Sequence, residues 1–138
     1  MDEIIGDPGL TDFDARAGFE AVRAAADGDL RAFVEYDGES YNPVFIAERV
    51  VEKHGDPEEV GEFADRLHFN YKLDFAEREM YEDLYEPLGS ITAFAVYLTD
   101  QTIVRYVDER EGIYVSVDGE THADEVIEAL ADALGDRR

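Results

Sequence analysis

The chain has 138 residues, of which 35 are acidic and 12 are basic, so that its net charge is −23, and it contains no cysteine. A chain of this length folds as one domain, and the missing cysteine excludes disulfides, thiol catalysis and iron–sulfur ligation. Because no basic patch is available to displace the counterions of a phosphate backbone, we expect no nucleic-acid partner.

The acidic residues are spread along the whole chain, whereas Lys53 and Lys72 are its only lysines. At about 1 M ionic strength the Debye length is only ~3 Å, so surface carboxylates hardly repel one another. This composition is typical of halophilic archaea. No apolar run approaches the ~20 residues of a membrane span, and the N-terminal residues lack the basic and apolar regions of a signal peptide. We therefore expect a cytoplasmic protein of a halophile with no membrane partner.

The first part of the chain predicts a helix and a hairpin. Residues 1–10 are interpreted as a flexible lead-in that ends at the turn GDPG, and a helix follows as far as the break DGDL. Residues 30–36 alternate in polarity like a strand. Residues 43–47 are either a helix that starts at Pro43 or a second strand. The preceding tight turn favours a short strand that runs into a helix at about Glu48.

The central part of the chain is helical by pattern. Asp56 and Pro57 form a typical helix start, and a break is expected near NYKLD. From Leu67 to Leu88 the apolar residues keep the 3–4 spacing of an amphipathic helix. If Met80 and Leu84 of this stripe face the core, then Tyr81 and Tyr85 lie about 100° further round the helix, at the edge of the buried stripe.

After Pro87 and Gly89 the period of the apolar residues changes from 3.6 to 2, which predicts three consecutive strands. A last amphipathic helix follows Thr121. The order of elements is therefore α-β-β-α-α-β-β-β-α. We predict a single α+β domain over residues 11–138, with a five-stranded antiparallel sheet and N-terminal, central and C-terminal helices.

No group of residues indicates a catalytic, cofactor or metal site. His54, His68 and His122 lie far apart and lack the spacing of a zinc motif. No serine lies in a nucleophile elbow, and no glycine-rich loop carries a phosphate-binding lysine. We therefore predict no catalytic residues, no cofactor and no metal. An enzyme, the least favoured hypothesis, would require His68, Arg78 or Arg105 to cluster with a buried carboxylate.

Two tyrosines of the central helix give the sharpest binding hypothesis. Tyr81 and Tyr85 lie one helical turn apart among acidic residues. In one interpretation their rings pack across a seam between helix and sheet, with the hydroxyl groups in water. In the other they form an aromatic patch, together with Phe69 and Tyr71, that binds a partner protein or a second subunit. The predicted interface residues are therefore Phe69, Tyr71, Tyr81 and Tyr85.

The segments LRAFVEYDGE and EREMYEDLYEPLGSITAFAVY resemble those of a family of small acidic, uncharacterised haloarchaeal proteins. The order of elements over residues 11–135 resembles the roadblock/profilin-like class of regulatory domains. That resemblance implies a non-enzymatic regulatory or scaffold domain, a homodimer paired through a central helix and a sheet edge, and a protein partner such as a small GTPase. A looser resemblance to PAS/GAF domains implies instead a small-molecule sensor, with a cavity lined by residues such as Met80, Phe94 and Val96.

Overall fold

The structure is a computed structural model that describes residues 4–135. Its helices are α1 (Ala15–Ala26), α2 (Glu48–His54), α3 (Pro57–Tyr71), α4 (Asp74–Tyr85) and α5 (Ala123–Leu134), and a short 3-10 helix follows α4 at Glu86–Leu88. Its strands are β1 (Ile4–Ile5), β2 (Leu30–Asp37), β3 (Tyr41–Ile46), β4 (Ala93–Tyr97), β5 (Gln101–Val107) and β6 (Glu111–Asp118). The strands form one antiparallel sheet in the order β1-β3-β2-β6-β5-β4.

The sheet has six strands and not the five expected, because residues assigned to the lead-in form β1. Ile4 and Ile5 pair with β3, and the amide of Gly6 donates a hydrogen bond to the carbonyl of Val44 at 2.9 Å. A strand of two residues is too short to show a period in the sequence, which is why the predicted strand count was wrong. Residues 1–3 of the lead-in lie outside the described residues.

The hairpin follows the favoured interpretation of residues 43–47. They continue strand β3, and the chain enters α2 at Glu48. Pro43 pairs with Val34 where the register between β2 and β3 shifts, between Phe33 and Val34. A proline cannot donate to the ladder, and an irregularity of this kind is where a sheet tolerates one.

Helices cover both faces of the sheet. Helices α1 and α5 pack on one face, over the larger core, whose fully buried members include Val22, Phe33, Ile113, Val115 and Leu130. Helices α2, α3 and α4 lie over the opposite face, where a smaller core includes Tyr36, Val51, Val60, Ile103 and Tyr114. The second face is the one that carries the surfaces described below.

A buried carboxylate fastens the segment before α1 to the sheet. Glu35 of β2 accepts hydrogen bonds from the amides of Gly9, Leu10 and Thr11, from the Thr11 hydroxyl and from the Asn42 side chain, at distances between 2.7 and 3.1 Å. Burial raises the pKa of Glu35, but the hydrogen bonds from Asn42 and the backbone outweigh it and hold the pKa below its ordinary value. The charged carboxylate therefore ties the turn GDPG to the centre of the sheet.

Candidate functional site

Exposed apolar side chains are concentrated on one part of the chain. Of the ten large hydrophobic side chains exposed within residues 4–135, nine lie between residues 69 and 98, and the tenth is Ile5. The nine are Phe69, Leu73, Met80, Leu84, Tyr85, Leu88, Val96, Tyr97 and Leu98. We call these side chains of α3, α4, β4 and the loops beside them the α4–β4 surface. Within β4, Val96 shares the sheet face of Phe94 and α4, whereas Tyr97 shares the opposite face with Ala93. Large clusters of exposed apolar side chains mark interaction sites on soluble proteins.

Helix α4 turns its apolar stripe away from the sheet. Met80 and Leu84 are 52% and 67% exposed, whereas Asp74 is buried and Phe75 and Arg78 are partly buried. The condition that Met80 and Leu84 face the core is therefore not met. The face of α4 that meets the sheet carries Asp74 and Arg78 together with the rings of Phe75 and Tyr81, and the apolar stripe faces solvent.

Two charged side chains join α4 to the beginning of β4. Arg78 Nε donates to the carbonyl of Ile91 at 3.1 Å, and its guanidinium pairs with Glu82 Oε1 at 3.0 Å. The same Glu82 oxygen accepts a hydrogen bond from the amide of Ile91 at 3.2 Å. Because Arg78 and Glu82 together satisfy the backbone of Ile91, the helix and the edge strand form one connected surface.

The first residue of α4 is a buried carboxylate that the sheet holds in place. Asp74 accepts hydrogen bonds from the Tyr36 hydroxyl at 2.7 Å and from the Arg105 guanidinium at 2.9 and 3.1 Å. The guanidinium carbon of Arg105 lies 4.7 Å from the ring centroid of Tyr71 and 5.5 Å from that of Phe94. Burial, together with the charge of Asp74, raises the pKa of Tyr36 far above its ordinary value. Its hydroxyl therefore stays protonated and donates to Asp74.

This cluster is the combination of a buried carboxylate and Arg105 that the enzyme hypothesis requires, but its contacts are those of a structural pair. Both oxygens of Asp74 are bound by Arg105. The other two candidates lie elsewhere, since His68 Nε2 is 2.8 Å from the carbonyl of Asp37 and Arg78 bridges to Glu82. Within residues 4–135 no three side chains of the metal-ligating types come together as a metal site, and no helix has the length and apolar character needed to cross a membrane.

Three of the four predicted interface residues lie on or beside the α4–β4 surface. Phe69 is 67% exposed, and the Lys72 amine lies 4.7 Å from the centroid of its ring. Tyr85 is 46% exposed, and its ring stacks on that of Tyr81 with 6.2 Å between centroids. Tyr81 also packs on Phe94 of β4, at 6.4 Å. Tyr81 therefore fills the seam between helix and sheet, while Tyr85 remains accessible.

Tyr71 points in the other direction. Its ring lies 5.2 Å from that of Tyr114 on β6, beneath the guanidinium of Arg105, and burial raises its pKa above the ordinary value. The structure thus places Tyr71 in the smaller core and not beside Phe69. Residues two apart on a helix lie on nearly opposite sides of it, so the spacing of Phe69 and Tyr71 already argued against a shared patch.

Strand β4 adds an open sheet edge to the surface. Within the described chain it pairs with β5 alone and stands at the end of the strand order. Its sequence, AFAVY over Ala93–Tyr97, contains no charged residue and no proline, which are common means of protecting a sheet edge. Tyr97, the last residue of this strand, and Leu98, which follows it, are exposed. Apolar residues on both faces of a strand, as in SITAFAVYLT, predict a central strand, but the structure places β4 at the edge of the sheet.

A cleft lies between the sheet and helices α2 and α3. Its volume is about 560 Å³, and side chains of β2, β5, β6 and α3 form most of its wall. Of the residues that the sensor hypothesis placed around a cavity, Val96 lines this cleft, whereas Met80 faces solvent and Phe94 packs on Tyr81. The cleft is thus displaced from the expected position, toward α2 and α3.

The fold resembles those of several solved structures. The chain superposes on Myxococcus xanthus MglB with a TM-score of 0.58 at 9% identity, over 91% of this chain and 88% of that one. A roadblock/LC7 domain from Streptomyces avermitilis gives a TM-score of 0.49 at 11% identity, over 83% and 89% of the two chains. The gliding protein MglB from Thermus thermophilus gives 0.49 at 12% identity, over 94% and 98%. The likeness to the first of these shows a roadblock-like fold and confirms the predicted α+β class.

At the level of sequence, no curated protein matches the chain. One family model matches residues 17–135, a span that begins inside α1 and includes five of the six strands together with α2, α3, α4 and α5. The matched span contains the α4–β4 surface and the cleft. The chain therefore belongs to the family described as Domain of unknown function (DUF7522).

Proposed function

We propose that the chain is a non-enzymatic protein-interaction domain that pairs with a second copy of itself through the α4–β4 surface. The observation that supports this proposal is the concentration of nine of the ten exposed large apolar side chains of residues 4–135 in the segment 69–98, which includes α4 and an edge strand that lacks charge. Apolar side chains of this size at a flat helix and strand surface are the usual core of a protein interface.

A second copy fits this surface by symmetry. A two-fold axis places an edge strand antiparallel to its own copy, which is the arrangement that every strand pair of this sheet already has. The same axis brings the outward stripe of α4 against its own copy. Both contacts are self-complementary, so that the surface needs no partner of different shape.

The charges around the surface make the pairing dependent on salt. Glu79, Asp83 and Glu86 are exposed on α4 and at its end, and in a dimer they approach the same residues of the second copy. Their repulsion is screened when the Debye length falls to ~3 Å at about 1 M salt. We therefore expect the dimer to form at high salt, which is the condition in the cytoplasm of a halophile.

The roadblock-like fold supports a regulatory or scaffold role for the dimer. Pairing through β4 extends the sheet across the two copies and leaves the opposite face, with α1 and α5, outside the interface. A small GTPase is the partner class that the roadblock resemblance suggests. An acidic domain of this kind would bind such a partner through the exposed residues that pairing leaves free.

The test is the molar mass measured by light scattering on a sizing column, in multimolar KCl and again at low salt. The wild-type chain should elute in KCl at about twice its mass of 15.5 kDa. Leu84→Glu should be monomeric, because it places a charge at the centre of the buried stripe. Ile5→Glu is the matched control, since Ile5 is 63% exposed, close to the 67% of Leu84, and lies outside the surface. It should remain dimeric.

A wild-type chain that stays monomeric in KCl at high protein concentration contradicts the proposal. A dimer that survives Leu84→Glu and is lost in Ile5→Glu places the interface at the β1 edge. Tyr85→Ala should weaken the dimer, whereas Tyr81→Ala should also lower the stability of the monomer, because Tyr81 packs on Phe94.

A further inference from the structure

The cleft between the sheet and helices α2 and α3 differs in charge from the rest of the molecule. The chain contains 35 acidic residues in 138, yet none of the 19 described residues that line the cleft is acidic. Three of them are the cations Arg31, Lys53 and Arg105. Burial disfavours lysine and arginine as strongly as aspartate and glutamate. Burial alone therefore does not explain why the cleft wall contains basic side chains and no acidic ones.

The positive charge lies mainly around the end of α2. Lys53 and His54 are the last two residues of that helix, and the exposed Lys53 makes no ion pair with any described residue. The Arg31 guanidinium pairs with Asp118 at 3.1 Å, but the same carboxylate also pairs with Arg49 at 2.8 Å. One carboxylate thus serves two guanidinium groups, so that Asp118 only partly neutralises Arg31.

The other cation of the wall is neutralised. Arg105 is held by the buried Asp74, and its guanidinium carbon lies over the ring of Tyr71. Around it the wall is apolar, with Val34, Ile103 and other side chains of the sheet facing α3. The cleft therefore has a long apolar part and one cationic end.

We propose that this cleft binds a small amphipathic carboxylate, with its apolar chain against the sheet and its single carboxylate at Lys53 and Arg31. The volume of about 560 Å³ lies within the ~300–1,000 Å³ typical of small-molecule sites. A guanidinium group matches a carboxylate in shape and charge. A ligand with several negative charges is disfavoured. Of the basic side chains that line the cleft, Arg105 is neutralised by Asp74 and Arg31 partly by Asp118, so that Lys53 and part of the charge of Arg31 remain for the ligand.

The test is calorimetric titration of the folded chain with decanoate, in the KCl buffer that keeps it folded. Two compounds with the same apolar chain, 1-decanol and decylammonium, separate the contribution of the head group. Decanoate should bind saturably, with one molecule per chain. It should bind more tightly than 1-decanol, and decylammonium should bind least.

The two lysines of the chain provide a matched pair of variants. Lys53→Glu and Lys72→Glu change the net charge by the same amount, but Lys53 lines the cleft, while Lys72 lies over the ring of Phe69. Lys53→Glu should weaken decanoate binding about threefold in KCl, because an attraction at the head group becomes a repulsion and salt screens part of both. Lys72→Glu should leave it unchanged. Ala64→Phe, which fills the cleft from α3, should abolish it.

Several results would overturn the proposal. One is the absence of saturable binding of decanoate, and another is 1-decanol binding as tightly as decanoate. Equal losses in Lys53→Glu and Lys72→Glu would show a general effect of charge. The monomeric Leu84→Glu variant should bind decanoate like the wild type. If binding is lost there, the site requires the second copy, since Val96 and Leu98 belong both to the cleft wall and to the α4–β4 surface, and a site complete within one chain is ruled out. Ligand binding is measured by calorimetry and dimerisation by molar mass, so that the two proposals can fail independently.

Discussion

Replacing Asp74 with asparagine removes the charge that holds α4 to the sheet, with almost no change in side-chain volume. In the wild-type chain this carboxylate accepts hydrogen bonds from Tyr36 and Arg105. The variant keeps an acceptor for the Tyr36 hydroxyl, but it leaves the Arg105 guanidinium without its counter-charge. The perturbation is therefore confined to one buried ion pair.

The expected loss follows from the burial of the pair. The side chains of Asp74 and Arg105 are 4% and 11% exposed, and removing one partner of a buried pair costs about 3–5 kcal/mol. Because Arg105 retains some access to water, we expect a loss of about 3 kcal/mol in the free energy of unfolding. This is a large fraction of the roughly 5–15 kcal/mol that stabilises an ordinary domain.

The assay is urea unfolding at constant KCl, followed by circular dichroism. Urea is preferred to guanidinium because it leaves the ionic strength unchanged. The double variant Asp74→Asn with Arg105→Met should be more stable than Asp74→Asn alone, because it removes the uncompensated charge of Arg105 and keeps an acceptor for the Tyr36 hydroxyl. A loss below about 1 kcal/mol in Asp74→Asn, the range of exposed ion pairs, would refute the reasoning. So would a double variant less stable than the single one.

Two further predictions concern the free energy of unfolding measured in the same way. Glu35→Gln should lower it by about 3 kcal/mol near neutral pH, because an amide cannot accept from all the donors around Glu35. The pKa of Glu35 is lowered in the folded state. The stability that the charged Glu35 contributes is therefore fully present above the ordinary pKa of a glutamate, and it is lost as the pH falls through the lowered pKa. Glu35→Gln should therefore lose less stability on acidification than the wild type. Gly112→Ala should cost about 1–3 kcal/mol by overpacking, because its Cβ would stand 2.7 Å from the Tyr36 ring. Gly61→Ala, where nothing lies within 4 Å, should be neutral or slightly stabilising.

Each of these two predictions has a result that contradicts it. If Glu35→Gln loses as much stability on acidification as the wild type, then other carboxylates account for the acid sensitivity. If Gly112→Ala is as stable as Gly61→Ala, then the ring of Tyr36 moves aside at no cost, and the packing at that position is looser than the structure indicates.

The parts of the fold that depend on local signals were predictable from the sequence. Asp56 accepts a hydrogen bond from the amide of Glu59 at 2.8 Å at the start of α3, with Pro57 as the first helical residue. That arrangement involves four consecutive residues, so their order is sufficient to predict it. The change of period after Gly89 likewise revealed strands β4, β5 and β6.

The candidate surface was harder to predict, because periodicity shows which residues share a face of a helix but not where that face points. The stripe with Met80 and Leu84 was found, while its exposure was not. The orientation of α4 is decided by Asp74, whose partners Tyr36 and Arg105 lie 38 and 31 residues away in sequence. No local pattern reveals contacts over such distances. The same limit applies to the cleft, whose wall is assembled from several separate elements.

The two ends of the sheet differ in a way that limits the size of an assembly. A sheet whose ends both accept new strands can continue into a fibre. At one end of this sheet stands β1, a strand of only two residues, and very short strands give poor templates for further pairing. The chain that follows it is held to β2 by hydrogen bonds to Glu35. If two copies pair through β4, as proposed, then the short edge at β1 is the strand edge that the described residues leave for a third copy.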